Sequence, residues 1–320
     1  MSAPKSSEFQ RIARIQRLLE PSGGRGSALD VGIGDDAAVL RVTGRVVWTV
    51  DAQVEGVHFD RRWLSLRDIG YRSFQAAASD LAAMGARATA ALSSLSLPAS
   101  LGDDELEGIV RGQAEAARAC ACPIVGGNLS RGGELSLTTT VLGSAPKPLL
   151  RSEARVGDEL WLVGEVGMAA AGLQALMQRA RKTSAVAACI ERWRRPHALL
   201  REGRILARRA RAAIDVSDGL AGDARHMAKA SGVRLVLARA ALEAALSPEL
   251  VTAAPALGLS ALETALSGGE DYALLCSGKP DRRPPFAHAV GRVERGAGVW
   301  LEFAGRRKKL TGSFDHFATK

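Results

Sequence analysis

Apolar positions recur along the chain with two periods, one helical and one alternating, and together they predict a succession of strand, turn and helix. Phe9, Ile12, Ile15 and Leu19 stand at helical spacing and predict an amphipathic helix over 7–20. Strand-like runs follow at 37–42 and 46–50, then a long Ala-rich helix over 66–83 that stops at Met84-Gly85, glycine being a favoured helix end. A strand is expected at 90–97 and a helix at 103–120, capped by Asp103 or its neighbour. After these, the pattern gives a short strand entering a glycine turn over 123–128 and a Thr-rich strand at 135–143. Prolines at 146 and 148 mark the best boundary, so domains over 1–145 and 149–320 are expected. The second half restarts with a strand at 159–163, a Gly164-Glu165-Val166-Gly167 turn and a helix over 168–179. A basic helix over 197–211, a strand at 212–216, a helix over 220–231, a strand at 272–276 and a hairpin at 299–303 and 308–310 complete the pattern. Strands and helices mixed in both halves place the chain in the α/β (α+β) class.

Composition and charge narrow the partners. The chain has 320 residues, of which 47% are hydrophobic, enough for two cores. A net charge of +9 raises the question of nucleic acid. The excess, however, is concentrated in the Arg-rich stretch 179–211 and in 306–309, with no zinc-finger spacing and no aromatic-rich basic strand. It reads as solvated helix faces that also steer anionic small molecules. Cys120, Cys122, Cys189 and Cys276 have no partner at zinc spacing, and Cys-x-Cys on a helix end is a poor disulfide, which points to a reduced interior. Residues 1–20 carry no apolar signal core and no run approaches membrane-spanning length, so a soluble, cytoplasmic protein is expected, with no nucleic acid or membrane as partner.

The candidate chemistry lies in acids beside glycines and apolar runs. Gly32-Ile33-Gly34-Asp35-Asp36 is followed by Thr49-Val50-Asp51, Ser79-Asp80, Asp215-Val216-Ser217-Asp218-Gly219 and Gly268-Gly269-Glu270-Asp271. One such stretch alone reads equally well as a solvated turn. Several together suggest one shared site for Mg²⁺ and phosphate, because adjacent buried carboxylates repel unless a cation compensates them. Asp80 adds to this: it falls near a helix C-terminus, where the dipole disfavours negative charge. The 164–167 turn could cradle phosphate on a helix N-terminus. Its spacing matches neither the dinucleotide fingerprint nor a Walker A loop, and close helix packing explains its glycines better.

The ordered blocks GIGDDAAV at 32–39, EGVHF at 55–59, SDLAAMGA at 79–86, IVGGN at 124–128, IDVSDGL at 214–220, SGGEDYALL at 267–275 and DHF at 315–317 resemble the thiamine-monophosphate kinase family of the PurM/AIR-synthetase-like superfamily. The resemblance implies a two-domain PurM-like fold with an N-terminal sheet that pairs across a homodimer and a C-terminal α/β domain. It implies ATP-dependent phosphorylation of thiamine phosphate to thiamine diphosphate, with several Mg²⁺ ions. Carried over by motif, Asp36, Thr49, Asp51, Asp80, Asn128, Asp215 and Asp218 fall at metal positions. Gly127, Asn128, Arg151 and Ser217 fall at nucleotide positions, and His58, Glu270 and Phe314 at positions that contact thiamine phosphate. The chain departs from the family twice at one metal site, with Asn128 in place of Asp and Val50 in place of Thr, which implies weaker binding of that ion.

This chemistry needs positioning and charge neutralisation more than acid–base groups. The second pKa of a phosphate monoester is about 6, so the acceptor is already largely a dianion near neutral pH. No catalytic residue beyond the metal and phosphate ligands is therefore expected. Each assignment keeps a plainer rival: His58 as a hydrogen-bonded core histidine, Arg151 as a surface residue, Glu270 as a cap, Phe314 as C-terminal packing. Two other functions stay open, another ATP-dependent synthetase of the superfamily and a non-catalytic nucleotide- or thiamine-phosphate-binding homologue.

Overall fold

The computed structural model describes residues 8–19, 29–33 and 37–311. They fall into two compact units, one drawn from Met1–Leu81 and Ala86–Pro146, the other from Ala82–Gly85 and Lys147–Lys320.

The first unit contains α1 (Glu8–Leu19), β1 (Leu29–Val31), β2 (Val39–Leu40), β3 (Arg45–Val54), α2 (Leu66–Ala83), β4 (Arg87–Pro98), α3 (Asp103–Ala119), β5 (Ile124–Gly132) and β6 (Ser136–Ala145). Its main sheet has the order β3-β6-β4-β5. Alternation along β3 sends Val47 and Gln53 inward, while Trp48 and Val50 on the other face are 70% and 65% exposed. The inward face lies under α2 and α3: Thr49 hydrogen-bonds Asp80 of α2, and Ser93 of β4 bonds Gln113 of α3. Those two helices cross at bare backbone. A Cβ added at Gly70 would collide with the Ile109 carbonyl, and one at Gly112 with the Arg67 carbonyl. α1 is pinned to α3 by ion pairs from Arg11 to Asp103 and from Arg14 to Glu107.

The second unit contains β7 (Glu159–Val163), α4 (Met168–Met177), α5 (Ser184–Arg194), α6 (Leu200–Leu206), β8 (Ala212–Val216), α7 (Leu220–Ser231), β9 (Arg234–Ala238), α8 (Arg239–Ala244), α9 (Pro248–Ala256), α10 (Ala261–Ser267), β10 (Ala273–Gly278), β11 (His288–Glu294), β12 (Gly298–Phe303) and β13 (Arg306–Lys309). Seven strands form one sheet in the order β13-β12-β9-β11-β7-β10-β8. All its pairs are antiparallel except β12 with β9. β7, β8 and β10 are buried along nearly their whole length and supply the core residues Leu160, Trp161, Leu162, Leu274 and Cys276. Pairing of Ala273 with Val216 and of Leu274 with Asp215 sets the start of β10 beside the end of β8.

Four expectations need correction. The run 37–42 forms only the two-residue β2. Gly126 and Gly127 lie inside β5 and not in a turn, because β4 approaches so closely that a Cβ at Gly127 would strike the Ser93 backbone. The basic helix expected over 197–211 is limited to α6; Pro196 disfavours helical backbone at the residue before it, and the chain is helical again only from Leu200. α5, which the hydrophobic pattern did not yield, buries Val186, Ile190 and Trp193. No disulfide joins the four cysteines, and burial pushes the Cys120 thiol up to about 12. No single helix among the described residues is long and apolar enough to cross a membrane.

Candidate functional site

In the first unit the acids approach one another with few donors. Thr49 and Asp51 leave β3 on the same side, as residues two apart on a strand must. The Thr49 hydroxyl donates to the Asp80 carboxylate, near the C-terminal end of α2. Burial, and then the charge of Asp80, push Asp51 up to about 6. Hydrogen bonds from Ala52 and Gln53 and the charge of Arg72 oppose that shift without cancelling it. Directly across the ladder from Asp51 stands Thr139, whose buried hydroxyl finds no partner among the described residues. Two mutually repelling carboxylates with hydroxyls beside them form a hard-oxygen donor set, which fits Mg²⁺. Among the described residues no group of three His, Cys, Asp or Glu side chains could hold a metal alone.

His58 sits in a tight loop after β3. Its backbone N–H donates to the Val54 carbonyl, and Val54 N–H donates in turn to His58 Nδ1 at 3.1 Å. An accepting Nδ1 places the proton of the neutral ring on Nε2. Gly127 and Asn128 lie on β5, where Asn128 is exposed. Together with Trp48 and Val50 they line a cleft of about 1030 Å³ on the outward face of the sheet. The two departures from the family pattern are not brought together. Val50 on β3 and Asn128 on β5 lie on opposite edges of the four-stranded sheet, three strand spacings or about 14 Å apart.

In the second unit two buried acids, Asp223 and Asp271, are claimed by backbone donors. Asp215 lies buried in β8 one residue before its end, and Ser217 and Asp218 form the turn that follows. Gly219, at φ +103°, carries the chain from this turn into α7. Asp223, in the first turn of α7, accepts from Ser217 N at 3.1 Å and Asp218 N at 3.0 Å and so closes the turn. Burial and the neighbouring Asp215 push Asp223 up to about 7. Across the sheet, Glu270 N donates to Ser217 O at 2.7 Å and Tyr272 N to Val216 O at 2.9 Å. Glu270 and Tyr272 both adopt left-handed backbone, at φ +68° and +53°, a conformation that non-glycine residues keep only where surrounding bonds enforce it.

Asp271, between them, is sealed inside. It accepts from Gly167 N at 2.5 Å and Ala169 N at 2.9 Å, the first donors of α4, and burial raises it to about 7. Asp271 is therefore a helix cap, and the grouping of its block with the metal stretches is corrected for this residue. The 164–167 turn has the packing role expected of it, since a Cβ at Gly167 would collide with Ala265, and its helix N-terminus is taken by a protein carboxylate. Arg151 is exposed. Asp36 and Phe314 lie outside the described residues. Sequence reasoning missed Asp223, whose only signal is an acid in a helix's first turn, and Trp193, whose indole donates to Glu270 at 3.0 Å.

The comparisons with known proteins cover both units. Residues 34–145 match the family AIR synthase related protein, N-terminal domain, and residues 155–295 match AIR synthase related protein, C-terminal domain. The thiamine-monophosphate kinase of Aquifex aeolicus is 34% identical over 306 residues, 94% of this chain and 96% of that protein. The chain belongs to the thiamine-monophosphate kinase family. The thiamine-monophosphate kinase of Mycobacterium tuberculosis is 37% identical over 299 residues, 91% of this chain and 87% of that one. A solved structure described as AaThiL complexed with AMPPCP and TMP superposes with a TM-score of 0.81 at 33% identity, covering 99% of both chains. The fold is accordingly PurM-like α/β, and membership in the thiamine-monophosphate kinase family makes the chain a kinase by descent.

Proposed function

We propose that the protein transfers the γ-phosphate of ATP to thiamine phosphate, giving thiamine diphosphate and ADP. The observation that carries this is the full-length likeness to a relative solved with AMPPCP, a non-hydrolysable ATP analogue, and TMP. The carboxylates of both units support it as the hard-oxygen donors such a transfer needs.

Asp36, Thr49, Asp51, Asp80, Asn128, Asp215 and Asp218 are assigned to Mg²⁺. When bound, Mg²⁺ offsets the repulsion between the acceptor dianion and the triphosphate and stabilises charge on the leaving oxygen. Gly127, Asn128, Arg151 and Ser217 are assigned to the nucleotide. Arg151, exposed and cationic, suits a bidentate phosphate contact. His58, with its proton on Nε2, presents a donor suited to a phosphate oxygen, and Glu270 and Phe314 are assigned to the organic part of thiamine phosphate. No side chain has to remove a proton from the acceptor, whose second pKa of about 6 leaves it ionised. The assembly is read as a homodimer through the exposed Val46, Trp48 and Val50 of the edge strand β3. A reduced, cytoplasmic setting suits four unpaired thiols.

The test is to supply ATP, Mg²⁺ and thiamine phosphate and to measure thiamine diphosphate and ADP. Equal amounts of both products are expected. ATP binding without turnover would favour a non-catalytic binding homologue. ADP formation that needs a different acceptor would favour another synthetase of the superfamily.

A further inference from the structure

Trp193 has no part in the chemistry assigned so far, yet it stands directly behind Glu270. It lies near the end of α5, only 2% exposed, and its Nε1–H donates to Glu270 Oε2 at 3.0 Å. The backbone of Glu270 is fixed by other means. The left-handed turns at 270 and 272, the bonds from Glu270 N to Ser217 O and from Tyr272 N to Val216 O, and the capping of α4 by Asp271 decide where its Cα sits. They do not decide where the carboxylate points, because a Glu side chain has three rotatable bonds of its own. The buried indole, too large and too enclosed to move freely, holds one carboxylate oxygen and lowers the entropy lost when a ligand arrives.

The nature of the donor matters as much as its place. Arg192, the preceding residue, pairs with Glu165. Trp193 offers Glu270 a neutral N–H. A guanidinium would bring a positive charge of its own to the carboxylate, whereas an indole orients it without adding charge. That suits a carboxylate whose task is to meet a cation, and thiamine phosphate carries a quaternary thiazolium.

We propose that Trp193 is a positioning residue for substrate recognition, holding the Glu270 carboxylate in the orientation that receives the cationic thiamine moiety. This rests on the assignment of Glu270 to thiamine phosphate made above. Trp193→Phe removes the N–H and keeps an aromatic body. The expected result is a rise of about tenfold in KM for thiamine phosphate, the scale of a lost hydrogen bond to a charged group. KM for ATP and kcat should stay within roughly twofold, because the lost interaction concerns one substrate's binding. Glu270→Gln should raise the same KM, and adding Trp193→Phe to it should change little more, since the two act as one unit.

A folded Trp193→Phe enzyme with unchanged KM for thiamine phosphate, beside a Glu270→Gln enzyme with a raised one, would overturn the inference and leave Glu270's role intact. An unchanged KM in Glu270→Gln would instead overturn the Glu270 assignment, and with it the role of Trp193. An equal rise in both substrates' KM on Trp193→Phe would mark general disorder and also overturn the inference. If circular dichroism shows Trp193→Phe unfolded, benzothienylalanine at 193, which keeps the indole's shape without its N–H, gives the same decisive readings.

Discussion

Two pairs of acids, one in each unit, use the same side chain in opposite ways. In the first, Asp51 and Asp80 face one another beside Thr49 and Thr139, and the strain between them is incompletely offset by hydrogen bonds. In the second, Asp223 and Asp271 are more deeply buried, and each takes two backbone N–H groups and serves as a fastener for a turn or a helix end. Asp223 also feels neighbouring acids, Asp215 and Asp218, but its carboxylate is engaged by the turn it closes. What differs is the partner: a strand hydroxyl and an opposing acid for Asp51 and Asp80, the backbone N–H groups of a turn or a helix start for Asp223 and Asp271.

The largest test of that distinction is Asp51→Asn. It should lower turnover by about a hundredfold, in line with the loss of a group that stabilises charge in the transition state. It should also raise the melting temperature of the metal-free protein at pH 8, because a repelling buried charge has gone. A fall in both quantities would reclassify Asp51 as an anchor.

Asp271→Asn should act the other way. Loss of one of two capping bonds should cost about 1–3 kcal/mol of stability, read as a lower midpoint in urea. The pH dependence sharpens this. Asp271 is raised from 3.8 to about 7, so between those values the native state holds a proton that the unfolded chain has released. Stability from this group is fully present below about pH 4 and is lost as pH rises through about 7. Metal-free protein should therefore unfold more readily at pH 8 than at pH 5, and Asp271→Asn should flatten that slope. An unchanged slope would show that other groups dominate it.

The smallest expected effect belongs to Asn128→Asp, which adds a charged oxygen at an exposed position. It should lower the Mg²⁺ concentration needed for half-maximal turnover by a few-fold; identical titrations would remove the idea that Asn128 weakens an ion site. Val50→Thr probes the opposite edge of the sheet, about 14 Å away. Within one chain the two changes should act additively.

Much of this architecture was readable from periodicity. β7, β8, α2 and α7 begin and end where the apolar pattern and the following glycine place them. α5 escaped because Arg192, Arg194 and Arg195 obscure a sound helical spacing of Val186, Ile190 and Trp193. The glycines of β5 read as a turn because nothing local reveals how closely β4 approaches. For the site, the acid-bearing turns were legible but their division of labour was not. Asp271 meets its donors at Gly167 and Ala169, about a hundred positions earlier, and Trp193 is 77 positions from Glu270. Such partnerships exist only once the sheet has formed.

The bare crossing of α2 and α3 at Gly70 and Gly112 reaches beyond its own surroundings. Asp80 lies on α2 about 15 Å from Gly70, at 1.5 Å of rise per residue. A stiff rod pivoting at one point amplifies a tilt at its far tip. A methyl group at either glycine would swing that tip and carry Asp80 off Thr49. Two residues with no side chain at all thus aim a charged one, and widening that pivot would blunt a group they never touch.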